Sequence, residues 1–285
     1  MMSGTAQRVV LGGVWACLSL AITVVAYGAF LVYLVQTWQV DPFYQHGPWI
    51  VGLGGIVYIH FVYRHYSSVT PHLDKNRLYG MGGAFLAAVL LFLASLLTHL
   101  PFFMGMSFVS WLLMIHFLLF HETQWKNVSF PILYFLCAVP LPYLKELSGL
   151  LQFLVASLSK VLLNALDYAI TQEGVNLYLP KASFQIAADC TGIKSWLVLM
   201  SLTIFFSIFI KTSLLKKLLI LLCVIPIAFI SNFIRVQVLL LLGYYEGQET
   251  ALYYWHYFAG ASFYILACII VVLTATGIIR YGRKK

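Results

Sequence analysis

The chain has 285 residues, 62% hydrophobic and only 9% charged, with a formal net charge of +8 at pH 7. Soluble domains carry about 25% charged residues, so a large soluble domain is excluded and the chain reads as an all-α polytopic membrane protein. The Lys and Arg residues sit in short clusters between apolar runs, a placement that gives no sign of nucleic-acid binding.

About twenty apolar residues cross a bilayer as a helix. That length predicts spans near 9–35, 48–64, 78–100, 104–121, 128–144, 192–210, 214–242 and 257–279, about eight in one integral membrane domain over 1–285. The first run is about as long as a span and lacks a small-residue cleavage site, so it reads as an anchor and not a cleaved leader. A polar and aromatic loop follows it, Asp41-Pro42-Phe43-Tyr44-Gln45-His46-Gly47-Pro48. The fifth run is crowded by Pro131, Pro140 and Pro142. In 146–171, Ser157, Lys160, Asn164, Asp167 and Thr171 recur at spacings of three and four and make one polar helical face. An amphipathic helix lying in the outer interface fits that pattern. In 174–187, apolar residues alternate around Pro180-Lys181, which predicts a short β-hairpin leading into the next motif.

Orientation follows from Lys and Arg. With the N-terminus inside, the inner segments collect Arg8, Arg64, Lys75, Arg77, Lys126, Lys211, Lys216, Lys217, Arg280, Arg283, Lys284 and Lys285. The outer loops 36–47, 101–103 and 243–256 contain neither Lys nor Arg. Both termini are therefore expected in the cytoplasm. A ninth span at 146–171 would put 211–217 and 280–285 outside, against this charge rule.

Three residues on the expected outer side carry chemistry. Cys190 lies in Asp189-Cys190-Thr191-Gly192-Ile193-Lys194-Ser195, where a polar stretch becomes an apolar run. A helix N-terminus favours negative charge, and Lys194 follows one turn on, so the position suits a thiolate. Arg235 lies within the run 214–242, about 10 Å below its outer end at Leu242. Charges at such depth usually face a functional cavity, and a guanidinium there can stabilise a thiolate or an oxyanion. Asn232 shares its helical face. His256 starts the last span; an imidazole can take a thiol proton and return it to a leaving amine. Cys17, Cys137, Cys223 and Cys268 lie inside apolar runs and read as small hydrophobes. Other chemistries fail: His121-Glu122 lacks the second His of HExxH, with Trp at 125, and Gly105-Met106-Ser107 is followed by Phe108. No metal or cofactor site is expected.

In combination these motifs resemble the exosortase/archaeosortase family of membrane cysteine transpeptidases. Asp41-Pro42-Phe43-Tyr44-Gln45-His46-Gly47 looks like the family's D-P-x-Y-S-H-G loop, with Gln45 for Ser. Ala188-Asp189-Cys190-Thr191-Gly192-Ile193-Lys194-Ser195 looks like E-C-S-G-I-R-S, Asn232-Phe233-Ile234-Arg235 like N-x-x-R, and His256-Tyr257-Phe258-Ala259-Gly260 like H-x-x-x-G. The resemblance runs from about 36 to 270. It implies catalysis by Cys190, Arg235 and His256, supported by Lys194, Asn232, Asp41, Tyr44 and His46. It further implies cleavage of exported surface proteins bearing C-terminal tripartite tails, typically the PEP-CTERM signal, through a thioester passed to an envelope acceptor. The location implied is a bacterial inner membrane, with the site facing the periplasm or exterior. The competing reading from the residues alone is a non-catalytic transporter or an assembly factor for exported polysaccharide, with Arg235 lining an anion path.

Overall fold

The computed structural model describes residues 4–65, 75–119 and 125–281; among these, the side chains of 4–17, 62, 64, 65, 76, 119, 125–128, 254–257 and 281 lie outside the described set. The chain forms two compact units, 1–142 and 143–285.

The first unit holds α1 (Gly4–Val40), α2 (Gly47–His65), α3 (Lys75–Thr98), α4 (Pro101–Leu119) and α5 (Trp125–Tyr134). Its main core joins Tyr27, Phe30 and Leu34 of α1 to Ala88 of α3 and Phe108, Trp111 and Met114 of α4. Polar groups inside this core are paired with one another, as an apolar surrounding demands. Ser107 Oγ donates to Ala88 O at 2.7 Å and lies 2.8 Å from Tyr27 OH. Trp111 Nε1 donates to Thr23 Oγ1 at 2.8 Å. Ser107, the serine of the rejected GxS fragment, is thus an interior strut. His121 and Glu122 lie outside the described residues. The predicted fifth span is instead the short α5, with Pro131 inside it, running into a 3₁₀ turn at Phe135–Ala138 and then extended backbone at Val139. Proline removes a backbone donor and crowds the preceding turn, so the run stops short of a full crossing.

The second unit holds α6 (Leu144–Ala165), β1 (Thr171–Glu173), β2 (Asn176–Leu179), β3 (Ala182–Gln185), α7 (Ile193–Ser207), α8 (Leu214–Glu246), the short α9 (Gln248–Thr250), a π-helical turn at Ala251–Trp255 and α10 (His256–Tyr281). The predicted hairpin exists and gains a third strand, in an antiparallel sheet of order β1-β2-β3. The added strand, β1, takes Thr171, which the polar-face pattern assigned to the helix. That helix ends at Ala165 because Asp167 turns left-handed (φ +65°) and Asn164 bonds both the N–H and the C=O of Ile170. One core packs Val155, Ala156 and Leu163 of α6 against Leu177, Phe184 and Ile186 of the sheet region and Val236 and Leu240 of α8. A second joins Leu199 of α7, Val224 and Ala228 of α8, and Ala267 and Val271 of α10. Gln237 Nε2 of α8 donates to Ser159 Oγ of α6 at 2.7 Å, a buried cross-tie.

Among the described residues, six helices are long and apolar enough to cross a membrane: Leu18–Val40, Arg77–Thr98, Pro101–Leu118, Leu144–Ala165, Leu214–Glu246 and Phe258–Arg280. Gly47–Phe61, Ser129–Ala138 and Ile193–Ser207 are shorter apolar helices. Large apolar side chains face outward along them, among them Val25 at 87% and Leu97 at 83% exposure, as a lipid-facing surface requires. The fold is therefore an all-α polytopic membrane protein with one small sheet. The helix α6, expected from the sequence to lie in the interface, is among these candidates by length and composition.

The sheet meets α8 at one tight point. A Cβ added at Gly243 would lie 2.3 Å from Phe184 Cζ, and Phe184 is buried. Gly243→Ala should therefore destabilise by about 1–3 kcal/mol, read as a lower unfolding midpoint in detergent. Adding Phe184→Leu should recover most of the loss; a single variant as stable as wild type would show that Phe184 moves freely.

Candidate active site

Cys190 closes a short 3₁₀ turn, Ala188–Cys190, directly after the sheet. Its N–H donates to Ala187 O at 2.9 Å, and Thr191 Oγ1 donates to Ala188 O at 2.8 Å. Gly192 then turns left-handed (φ +85°), and α7 starts at Ile193. Only glycine takes that conformation without strain. The close approach reinforces the requirement, because a Cβ on Gly192 would lie 3.3 Å from Asn232 Cβ and 3.5 Å from Ala228 O. The Cys-Thr-Gly stretch thus presses against α8. It is fixed there by Asn232, whose Nδ2 donates to Cys190 O at 2.6 Å.

Arg235, one turn along α8 from Asn232, acts electrostatically on the Cys190 thiol. The side chain is only 9% exposed, and burial is the largest influence on it, pushing the thiol pKa up. The Arg235 guanidinium opposes burial by favouring the thiolate, and an interaction with the Ala187 backbone acts in the same direction. The Asp189 carboxylate pushes the other way. Here the structure corrects the sequence-based expectation. The resting group is a desolvated thiol, not a standing thiolate.

A small cleft lies among α7, α8 and α10, with Asn232, the donor to Cys190 O, in its wall. Its polar wall is Ser195, Ser231, Asn232, Arg235 and Tyr264. Ser231 Oγ donates across to Phe263 O at 2.8 Å, tying α8 to α10. Gly260 lines the same cleft, and a Cβ placed on it would lie 3.8 Å from Arg235 Cζ. The H-x-x-x-G motif therefore reaches the site through its glycine. The His256 backbone opens α10 after the π-helical turn; its side chain lies outside the described residues. Ser195 and Tyr264 were not singled out from the sequence. Ser195 closes the cysteine motif without a role assigned to it, and a Tyr among apolar neighbours carries no signal until three helices converge.

In the first unit the Asp41–Gly47 loop folds on itself. Asp41 Oδ1 accepts from Phe43 N at 3.0 Å, and Tyr44 N donates to Asp41 O at 3.0 Å. Tyr44 OH accepts from Leu141 N at 2.7 Å, and Trp38 Nε1 donates to Ala138 O at 2.9 Å. Tyr44 and His46 stack at 6.4 Å. A Cβ on Gly47 would strike the Trp38 indole at 2.3 Å. The motif thus clasps the extended segment that follows α5. Burial pushes the Tyr44 phenol up to about 12, so it stays protonated.

Two expectations follow. Asn232→Ala removes a buried donor to Cys190 O, costing about 1–3 kcal/mol, and should abolish ordered placement of the thiol, read as lost Cys190-dependent activity at normal protein level. Alkylation of Cys190, followed on its own peptide by mass spectrometry, should have a pH midpoint above that of a free cysteine, because the thiolate reacts and burial disfavours it. Arg235→Ala removes an influence that lowers the pKa, so its midpoint should move higher still. An unchanged or lower midpoint would remove Arg235 from the thiol's surroundings.

Neither the curated proteins nor the solved structures match this chain. The transmembrane exosortase family matches it over residues 38–273, a region that contains the clasp loop, the cysteine turn, the Asn232–Arg235 face and the start of α10. The chain belongs to the transmembrane exosortase family, as a multi-pass membrane protein.

Proposed function

We propose that the protein is a membrane cysteine transpeptidase that cuts C-terminal sorting tails from exported proteins at the outer face of the membrane. The observation that carries this reading is the pairing of a buried, backbone-anchored Cys190 with Arg235 acting on it. A thiol so placed suits a reaction in which the negative charge appears only beside its cation.

In the proposed sequence His256 accepts the Cys190 proton as the sulfur attacks the carbonyl carbon of the scissile peptide bond. Negative charge develops on the carbonyl oxygen and is met by Arg235. Collapse breaks the C–N bond, and the tail's amine leaves with the proton from His256. The acyl group remains on sulfur as a thioester. An amine or hydroxyl on an envelope acceptor, or water, then attacks it and restores the thiol. Asn232 and Gly192 are positioning residues. Lys194 and the Asp41–Tyr44–His46 loop have supporting roles. The lack of Lys and Arg in the outer loops 36–47 and 243–256 supports cytoplasmic termini and an outward site in a bacterial inner membrane. A substrate tail with an apolar helix and a basic end would then share the enzyme's own orientation rule.

The test compares membrane and secreted proteomes of the host with wild-type protein and with Cys190→Ala. A set of proteins should keep its C-terminal helix only in the variant. Matching proteomes, with the variant stably made, would instead favour a transporter or assembly role. Among purified variants, Arg235→Ala should lower the cleavage rate by about 10²–10³-fold and His256→Ala by about 10²–10⁴-fold.

A further inference from the structure

The three strands form a small sheet whose two edges differ. Strand β1 is tied to α6, with Gln172 Nε2 donating to Ser157 Oγ at 3.1 Å. On β3, the Ser183 N–H donates not to a strand but to the side-chain amide oxygen of Gln248, in α9, at 3.3 Å. The Ser183 hydroxyl reaches the same oxygen at 3.4 Å.

The direction of that bond fixes the others. In an antiparallel ladder the backbone groups of successive residues point alternately toward and away from the partner strand. Ile186 N donates toward β2, to Val175 O at 3.0 Å. Ser183 N donates away from it. Ala182, Phe184 and Ile186 therefore face β2, whereas the backbone of Ser183 and Gln185 faces outward. The side chains agree with the alternation: Ala182, Phe184 and Ile186 are buried, while Ser183 and Gln185 are exposed.

The strand also has a course. Lys181 Nζ, at its start, donates to Tyr245 O; Phe184 packs at Gly243; and Cys190 O accepts from Asn232. From Lys181 to Cys190 the chain thus descends α8 from its C-terminal end to the cleft. Gln185 and Cys190 are five residues apart, roughly 17 Å at full stretch. A polypeptide paired along β3 is led to the thiol.

We propose that the outward edge of β3, Ser183 to Gln185, docks the extended segment of the substrate that precedes the scissile bond, as a parallel added strand, with the Gln248 amide holding one of its peptide positions in this structure. This deepens the transpeptidase reading and rests on it. The bound group is already an amide carbonyl, the chemistry of a peptide bond. Outward groups repeat every second residue, about 6.7 Å apart, a spacing that an extended polypeptide matches. A protein outside the membrane with its C-terminal helix in the bilayer runs the same way as β3. Main-chain pairing would let one edge accept many substrate sequences.

The probe is a host membrane protein whose C-terminal helix is retained in Cys190→Ala cells. Ser183→Pro removes the outward N–H and no ladder bond, a substitution that edge strands accept. It should lower probe cleavage at least tenfold, chiefly through KM, while Ser183→Thr cleaves as wild type. Independently, the chain carrying Ser183→Cys and Cys190→Ala is oxidised with probes bearing single cysteines at successive positions before the cut. Disulfide adducts should form at alternate positions and be absent from the Cys190→Ala parent. Adducts at consecutive positions, no adducts, or a folded Ser183→Pro protein that cleaves at the wild-type rate would overturn the docking edge alone. If Ser183→Pro does not fold, the crosslinking pattern decides. If wild-type protein cleaves no probe, the transpeptidase reading falls and the docking edge with it.

Discussion

The site depends on one hydrogen bond. Asn232 Nδ2 to Cys190 O joins α8 to a turn that would otherwise end the sheet as an unanchored loop. The bond satisfies a buried carbonyl, which apolar surroundings make costly to leave alone. It also sets where the sulfur lies relative to Arg235, since Asn232 and Arg235 are one turn apart on the same helix. Gly192 makes the bond attainable, for any side chain there would both resist the left-handed turn and hold the two backbones apart. Cys, Gly and Asn thus act as one device, with the arginine carried on its frame.

Burial and charge oppose each other at the sulfur. Desolvation favours the neutral thiol, while Arg235 favours the anion. A thiol kept neutral at rest is protected from oxidation and adventitious alkylation, since both need thiolate. Activation then falls to a proton acceptor and to the arrival of the substrate. Such a site trades constant reactivity for conditional reactivity.

Much of this was legible in the chain, for identifiable reasons. Apolar run length gave the helices of both units, because a bilayer demands it. The three-residue spacing of Asn232 and Arg235 put both on one helical face, and that face lines the cleft. Period-two alternation before Cys190 gave the hairpin. What failed was local. Hydropathy extended the fifth run through Pro131, Pro140 and Pro142, where backbone chemistry stops a helix early. The polar stripe of 146–171 was carried past Ala165, although Asn164 turns its side chain back to cap Ile170. The helix N-terminus before α7 suggested a standing thiolate at Cys190, whereas burial, which only tertiary packing sets, favours the neutral thiol.

The length of α8 has a consequence for the energetics of Arg235. The helix has 33 residues, about 50 Å, against about 30 Å of hydrocarbon. From Leu214 to Arg235 is roughly 31 Å, so an upright helix entering the hydrocarbon at Leu214 brings the guanidinium out at the opposite boundary. Hydrophobic mismatch then becomes a setting for the charge. Tilting by about 20° draws Arg235 inward by only about 2 Å, and a thicker sterol-like bilayer would draw it in by a similar amount. In that geometry the guanidinium would lie where dielectric changes steeply with depth, and membrane thickness would bear on the electrostatics of the thiol.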